Sequence, residues 1–499
     1  MKLSSTNTLL ISTVTVVLNS LGTVAVDPQG WYAANPGLSK IGLVDQSINQ
    51  ITDVYGRIRF FHGTNVVMKS APWYRSSNFD PPNSFGLQDV QNLQALGVNV
   101  VRLGHHWAGA EPVRGQYNQT FLDIMKSQTQ LAEAHGIYIL VDVHQDVLAG
   151  QFCGHGVPNW FVQSNWVPSY KKFPVPQKII PFATDSNGMP SASDCGSLDW
   201  SVSYLTAAVC NAFGRLYNNY DNLGDSFASY WKKLAQQYVT TNNILGYNLL
   251  NEPWVGDSYA NPSLLVPGVA DHVNLEGLWN KAATQIRTVD NNTLIFFEGT
   301  TYDILSGFNN VPLGDGSRSV QSYHYYKPPQ VGTIEDTFKN RIQDNQRLKT
   351  ASVLTEHTMW MGDSTQMTNI QFAVDKADQY MMSWMGWAYE NLYNSTQQPY
   401  PELAAFYSRA YPSAIAGTPT SFHFNSTDKS FALVYKVKKA ITAPTEIVLP
   451  TYTYPQGYNV AVTPANSLVQ FVKDSGTLSL FTADTTADGQ TVSVTITKQ

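Results

Sequence analysis

Ile244-Leu245-Gly246-Tyr247-Asn248-Leu249-Leu250 runs directly into Asn251-Glu252-Pro253-Trp254, and this junction decides the fold. A nearly continuous apolar run of that length reads as a strand buried on both faces. Polar and acidic residues crowd in where it ends. The same texture occurs seven more times: Ile58–Val67, Val98–Leu103, Ile137–Val143, Thr293–Phe297, Val320–Tyr323, Ser352–Leu354 and Trp384–Ala388. Helical patterns lie between several of these runs, at Asp89–Leu96, from an Asn118 cap to His135, and at Phe227–Tyr238, Leu275–Val289 and Phe372–Met382. Gly97 and Gly136 stand where helix-ending glycines belong. Strand–helix alternation through eight strands predicts an α/β protein built on a parallel (β/α)8 barrel, the TIM barrel.

The third and fourth runs are too far apart for one helix. Residues at about 150–225, rich in aromatics, Pro and Gly, are therefore read as a long insertion over one rim. Beyond Tyr411-Pro412 the helical period vanishes. Phe431, Leu433, Tyr435 and Val437 alternate, as do Val492, Val494 and Ile496, with turns at Pro455-Gln456-Gly457 and Asp488-Gly489. This predicts a C-terminal antiparallel β-sandwich. The expected division is 1–25 as a signal peptide, 26–412 as the catalytic barrel and 413–499 as the sandwich.

Composition bounds the function. A chain of 499 residues with 43% hydrophobic and 14% charged residues is no disordered protein, and it is long enough for a large domain plus a module. A net charge of −6 without a Lys/Arg block argues against nucleic acid as a partner. Lys2, the apolar stretch Leu9–Leu18 and the small residues Thr23-Val24-Ala25 read as a secretory leader, with a short membrane anchor as the alternative. No other stretch is long and apolar enough to span a membrane. Sequons at Asn118, Asn291, Asn394 and Asn425 fit a secreted or lumenal glycoprotein, such as one of a digestive or lysosome-like compartment. Cys153, Cys195 and Cys210 allow one disulfide and one thiol, and the pairing stays open. A monomer is expected.

Catalytic groups of such barrels sit at the C-terminal ends of the strands. Reading those ends gives Arg102, then Asp142-Val143-His144-Gln145-Asp146, then Asn251-Glu252, then His324-Tyr325-Tyr326, then Thr355-Glu356-His357, and finally Trp387. Glu252 and Glu356 follow the fourth and seventh strands, which face each other across a small barrel. Glycosidic cleavage wants such a pair, one carboxyl protonated to release the leaving oxygen and the other ionised to attack or to activate water. One glutamate at a strand end is ordinarily an ion-paired rim residue. Two of them, together with Asn251, His324 and Trp387, argue for chemistry. Arg102 alone also reads as a structural ion-pair residue, His144 as a bonded core histidine, and Trp387 as either packing or a stacking face for a sugar. His144, Asp146 and His357 have no metal-site spacing, so no metal and no cofactor are expected.

These residues resemble glycoside hydrolase family 5, whose most recognisable tripeptide is matched by Asn251-Glu252-Pro253. Within it the chain is most similar to the endoglycoceramidases. The likeness is carried by Phe61-His62-Gly63-Thr64-Asn65-Val66-Val67-Met68-Lys69-Ser70-Ala71-Pro72, by Val101-Arg102-Leu103-Gly104-His105-His106-Trp107-Ala108-Gly109-Ala110-Glu111-Pro112, by the Asp142–Asp146 segment and by Gly156-Val157-Pro158-Asn159-Trp160. It extends over roughly residues 55–499. The resemblance implies a retaining hydrolase that releases oligosaccharide from ceramide, with a glycosphingolipid as substrate and contact with a membrane or micelle surface. It implies Glu252 as acid/base and Glu356 as nucleophile. Asn251 would bond the sugar 2-hydroxyl, Tyr326 would touch the nucleophile, and Arg102 would keep Glu356 ionised. His144 and His324 would shape the polar floor, Trp387 would carry a sugar, and Lys69 and Asp146 would grip the glycan. His357-Thr358 departs from the family's common Phe-Gly, and His105-His106 has no assigned role.

Physically, a nucleophile beside Arg102 is expected to be driven towards ionisation and the acid/base to have a raised pKa. Retention calls for carboxyls about 5–5.5 Å apart. Trp160, Phe161 and Trp166 are candidates to line a lipid groove. The alternatives are an endo-β-glucanase or other polysaccharide hydrolase of the same family, and a non-catalytic glycan- or lipid-binding protein.

Overall fold

The computed structural model describes residues 27–162, 185–186, 189–197, 200–301, 305–328, 330–474 and 476–499. The expected leader over 1–25 and Trp166 lie outside the described residues.

Eight parallel strands close into a barrel: β1 (His62–Val66), β2 (Val100–Gly104), β3 (Tyr138–Asp142), β4 (Ile244–Asn248), β5 (Leu294–Glu298), β6 (Ser319–Tyr325), β7 (Ala351–His357) and β8 (Trp384–Gly386). Closure is made by β8 on β1, with Trp384 opposite His62 and Gly386 opposite Thr64. Alternate side chains of each strand point in or out. Val100, Tyr138, Leu140, Leu294, Phe296, Val320, Ala351 and Val353 fill the lower interior. Val101, Leu103, Ile139, Val141, Ile295 and Phe297 pack outward under the helices.

The helices follow the sequence signals. Asn118 accepts the Phe121 N–H and caps Gln119–Ala134. Gly97 and Gly136, both with φ of +77°, end the helices before β2 and β3. The described residues of the insertion between β3 and β4 include helical segments. Residues Trp200–Leu205 form a 3-10 turn, and Thr206 caps a helix over Ala207–Tyr217 whose Val209 and Phe213 enter the barrel core. A disulfide joins Cys153 to Cys195, and Cys210 is a buried thiol.

The first apolar run divides where the sequence reads one strand. Ile58–Arg59 pairs antiparallel with Ala414 and Ile415, and His62–Val66 enters the barrel. Phe60 packs into the sandwich core while its neighbour Phe61 packs into the barrel core. As a result, residues expected to belong to the catalytic barrel serve the other domain. Strands Ile41–Asp45, Gln50–Asp53 and Ile58–Arg59 join Tyr411–Ile415, Thr445–Val448, Thr477–Thr482 and Leu468–Asp474 in one seven-stranded sheet. The expected boundary at 412/413 falls inside one of these strands. The facing sheet has four strands, ordered Gly417–Phe424, Phe431–Val437, Thr491–Lys498 and Tyr458–Thr463. Ile41, Val44 and Ile51 meanwhile pack against the lower barrel interior and close it from below.

Candidate active site

Arg102, fully buried on β2, organises the barrel mouth. A guanidinium has five N–H donors, and this one uses them all. Nε donates to Asn248 Oδ1 at 2.7 Å. Nη1 donates to Asn65 Oδ1 at 3.1 Å and to Glu356 Oε1 at 2.5 Å. Nη2 donates to Asp142 Oδ1 at 2.8 Å and to Asn251 Oδ1 at 2.9 Å. Five side chains from four strands and their ends are thereby tied to one cation. Asp142 also takes His144 Nδ1 at 2.8 Å, which fixes the ring and leaves its Nε2 as the acceptor.

Glu356 owes its inward direction to an irregularity in β7. Ala351 and Val353 point inward, so strict alternation would turn Glu356 out. The register against β6 shifts between Leu354 and Glu356, and the extra residue restores the carboxyl to the interior. Glu356 Oε2 accepts from the Tyr326 hydroxyl at 2.7 Å, so both oxygens have strong donors. Glu252 follows β4 and has one close side-chain partner, His324 Nδ1, at 2.8 Å from Oε1. The same ring nitrogen is 3.6 Å from Glu356 Oε2. One oxygen of Glu252, one of Glu356 and a ring nitrogen of His324 all lie within 4.8 Å of one another. That is the closely set arrangement of a retaining pair and is tighter than the roughly 6.5–9.5 Å of an inverting one.

Burial pushes the Glu252 carboxyl up to about 7, aided by the Asp146 and Asp142 charges and opposed by Lys69 and Arg102. Burial also raises Glu356, where the expectation was a carboxyl driven down. His324, Arg102 and the Tyr326 hydroxyl work against that rise. Burial lowers His324 to about 4, so at neutral pH its ring is uncharged. Of the two glutamates, Glu356 alone bonds directly to a cation and is the one favoured to ionise first.

The remaining sequence candidates gather around the pair. Asn251 donates Nδ2 to the Gln145 carbonyl at 3.0 Å, which orients its amide towards Arg102. Lys69 Nζ lies 2.7 Å from Asp146 Oδ2 and 4.6 Å from the centre of the Trp387 ring. Trp387 stacks on His144 with centroids 5.2 Å apart. Burial resists ionisation of Asp146, but Lys69 and His155 overcome it and hold the carboxyl well below the usual range. All ten candidates thus meet in one network. A cavity of about 830 Å³ opens onto it, lined by Lys69, His144, Asp146, Glu252, Glu356 and Trp387. Val202, Leu205, Pro328 and Trp360 add apolar lining to the same cavity.

One expectation fails. Trp160 and Phe161 do not line this cavity. They pack on Trp107, with centroids 5.4 and 6.0 Å away, and the Trp160 indole donates to the Glu111 carbonyl at 2.9 Å. Their apolar area is used in the helical layer. His357 packs edge-on to Trp384 in the barrel wall, so it does not join His144 and Asp146. His105 bonds the Leu103 carbonyl and the Tyr238 hydroxyl, a buried structural histidine. Among the described residues, the metal-compatible group is Glu252, His324 and Glu356. Its atoms are already engaged with each other, with Arg102 and with Tyr326, which suits proton transfer better than cation binding.

Several site residues escaped the sequence reading. Asn248 was detectable as the amide within an apolar strand, and Asn65 stood inside the quoted Phe61–Pro72 segment. Glu298 was detectable as the acid that ends β5. Gln145 stood inside a quoted segment, where it donates to the Asn251 and Glu252 carbonyls. His155, bound to Asp146 at 2.7 Å, and Trp360, stacked on Tyr326, gave no signal.

Comparison with known proteins agrees with this architecture. The family model described as cellulase (glycosyl hydrolase family 5) matches residues 62–392, and that of the glycoside hydrolase family 5 C-terminal domain matches 409–496. An endoglycoceramidase of Cyanea nozakii is 37% identical over 454 residues, covering 87% of this chain and 89% of that relative. One from Hydra vulgaris is 37% identical over 438 residues, covering 84% and 83%. Among solved structures, endo-glycoceramidase II from Rhodococcus sp. matches with a TM-score of 0.71 at 22% identity, over 90% of this chain and 99% of that one. It has been solved as a lactosyl-enzyme intermediate and as a ganglioside GM3 complex. With its barrel and its C-terminal domain both matched, the chain belongs to glycoside hydrolase family 5.

Proposed function

We propose that this protein hydrolyses the β-glycosidic bond between the oligosaccharide and the ceramide of glycosphingolipids, with retention at the anomeric carbon. The observation that carries the reading is the pair of close, unequally partnered glutamates in one cavity lined by both polar and apolar side chains. A substrate with a sugar head and two lipid chains calls for both kinds of lining near its scissile bond. Relatives 37% identical that are known as endoglycoceramidases support the substrate class.

In the first step an ionised Glu356 oxygen bonds to the anomeric carbon while the protonated Glu252 gives its proton to the departing ceramide oxygen. Arg102 and Tyr326 hold the attacking carboxylate in place. In the second step Glu252, now ionised, takes a proton from water. The resulting hydroxide oxygen bonds to the same carbon and Glu356 is released. Asn251 keeps a second amide hydrogen for the sugar 2-hydroxyl. His144 Nε2, Lys69, Asp146 and Trp387 form the glycan side, and Val202, Leu205, Pro328 and Trp360 the lipid side.

Secretion or a lumenal location fits the Cys153–Cys195 disulfide, since such bonds persist in oxidising compartments. Contact with a lipid surface is consistent with Val266 and Val331, which are 55% and 76% exposed on loops following β4 and β6. Among the described residues, no helix is long and apolar enough to cross a membrane. Incubation with a ganglioside and with a soluble β-glucan tests the assignment. Intact oligosaccharide and free ceramide are expected from the first, and release of sugar from the glucan alone would overturn it.

A further inference from the structure

Glu252 has φ of +41°, a left-handed conformation that residues with side chains seldom adopt and that persists only where neighbours hold it. Two side chains hold it here. Gln145 Nε2 donates to the Asn251 and Glu252 carbonyls at 2.7 and 3.0 Å. On the other side of the peptide, Glu298 Oε1 accepts the Glu252 N–H at 3.0 Å.

Glu298 ends β5 and is 4% exposed. The cavity that holds the catalytic pair is not lined by it. Its Oε1 lies 3.6 Å from His324 Nε2, and the other nitrogen of that ring touches the Glu252 carboxyl. Ser322 Oγ donates to Oε2 at 3.4 Å, and Arg102 Nη2 is 3.9 Å away. Glu298 therefore touches the backbone of Glu252 and the ring behind its carboxyl, but not the place where substrate would sit. Burial, with the nearby Glu252 and Glu356, drives its own carboxyl well above the usual range against the pull of Arg102. A neutral acid still offers a carbonyl oxygen to an N–H donor.

We propose that Glu298 is a positioning residue for Glu252, holding its left-handed peptide and the His324 ring so that the Glu252 carboxyl faces the glycosidic oxygen. The inference rests on Glu252 being the acid/base. A misaligned acid slows loss of a poor leaving group such as ceramide and spares one that leaves without a proton, whereas general damage to the site slows both.

The test compares Glu298→Ala and Glu298→Gln on lactosylceramide and on a dinitrophenyl lactoside, reading for the latter the burst of dinitrophenolate that reports the first step. Glu298→Ala is expected to lower kcat on the lipid about a hundredfold, with KM little changed and with the burst slowed less than about tenfold. Glu298→Gln, whose amide oxygen can accept the same N–H, should stay within about tenfold of the parent on both. Glu298→Asp fills the site but withdraws the acceptor. It should show the same split as the alanine variant and replaces it if that variant does not fold. Equal slowing of both reactions, or a parental rate on the lipid, would overturn the proposal. Glu252→Gln separates the two readings. If it shows no dependence on the leaving group, the acid/base assignment fails. If it shows the split and the Glu298 variants do not, only the positioning role fails.

Discussion

The two glutamates share a buried mouth and differ in what each touches. Glu356 bonds a guanidinium and a phenol, and Glu252 bonds an uncharged imidazole. That difference assigns the proton. With the Glu252 carboxyl raised to about 7, the protonated form survives through neutral pH. Activity on lipid substrate should hold up to about pH 7 and then fall about tenfold per unit. A pH profile of kcat/KM checks this, and a descending limb near pH 4.5 would contradict it. Glu356→Gln should abolish turnover while the protein still folds, because the amide oxygen can accept from Arg102 and Asp142 still pairs with the cation. Arg102→Met should do more. It removes the cation from Asp142 and Glu356, and breaking a buried pair from one side costs roughly 3–5 kcal/mol. Denaturant unfolding should show a destabilisation of that order along with loss of activity.

Regular strands would not build this site. Besides the shift in β7, the register between β3 and β4 slips after Ile139. Leu245 and Asn248, three residues apart, both reach the interior, Leu245 among the lower core and Asn248 on Arg102. Each glutamate thus belongs to a strand that breaks its alternation below the reacting groups. The insertion is secured at the same level. Asp146 and His155 pair through their backbones, and Cys153 beside them is tied to Cys195, 42 residues further along. Closing a loop of that length is worth about 3–4 kcal/mol in the chain-entropy picture. Cys195→Ser should lower the thermal midpoint and speed amide exchange around Asp146 before it affects β7. Hydrogen-exchange mass spectrometry would reveal uniform loosening if this localisation were wrong.

The two domains are not separable at whole-molecule scale. The N-terminal strands pair within the sandwich sheet and also supply Ile41, Val44 and Ile51 to the barrel base. Tyr411 stacks on His62 with centroids 3.8 Å apart, directly below β1. A chain cut after residue 410 would leave the Ile58–Arg59 edge unpaired and Phe60 exposed. It should lack the single cooperative melt expected of the intact protein. Calorimetry of both would decide, and an active, cooperatively folding fragment 27–410 would show that the sandwich is dispensable.

The sequence by itself determined the barrel, the order of its strands and the two acids, because strands buried on both faces must be continuously apolar and their catalytic ends must be polar. All eight runs became strands, and Asn118 and Gly97 ended or began helices where their chemistry places them. Only the tertiary structure decided that Ile58–Val67 is two strands, since Phe60 and Phe61 are equally apolar and two different cores compete for them. It alone turned Glu356 inward, because a register shift is a property of two strands together. It alone brought Glu298 and Gln145 to the peptide of Glu252. Hydrogen bonds between residues far apart in the chain leave no period or spacing in the sequence from which they could be read.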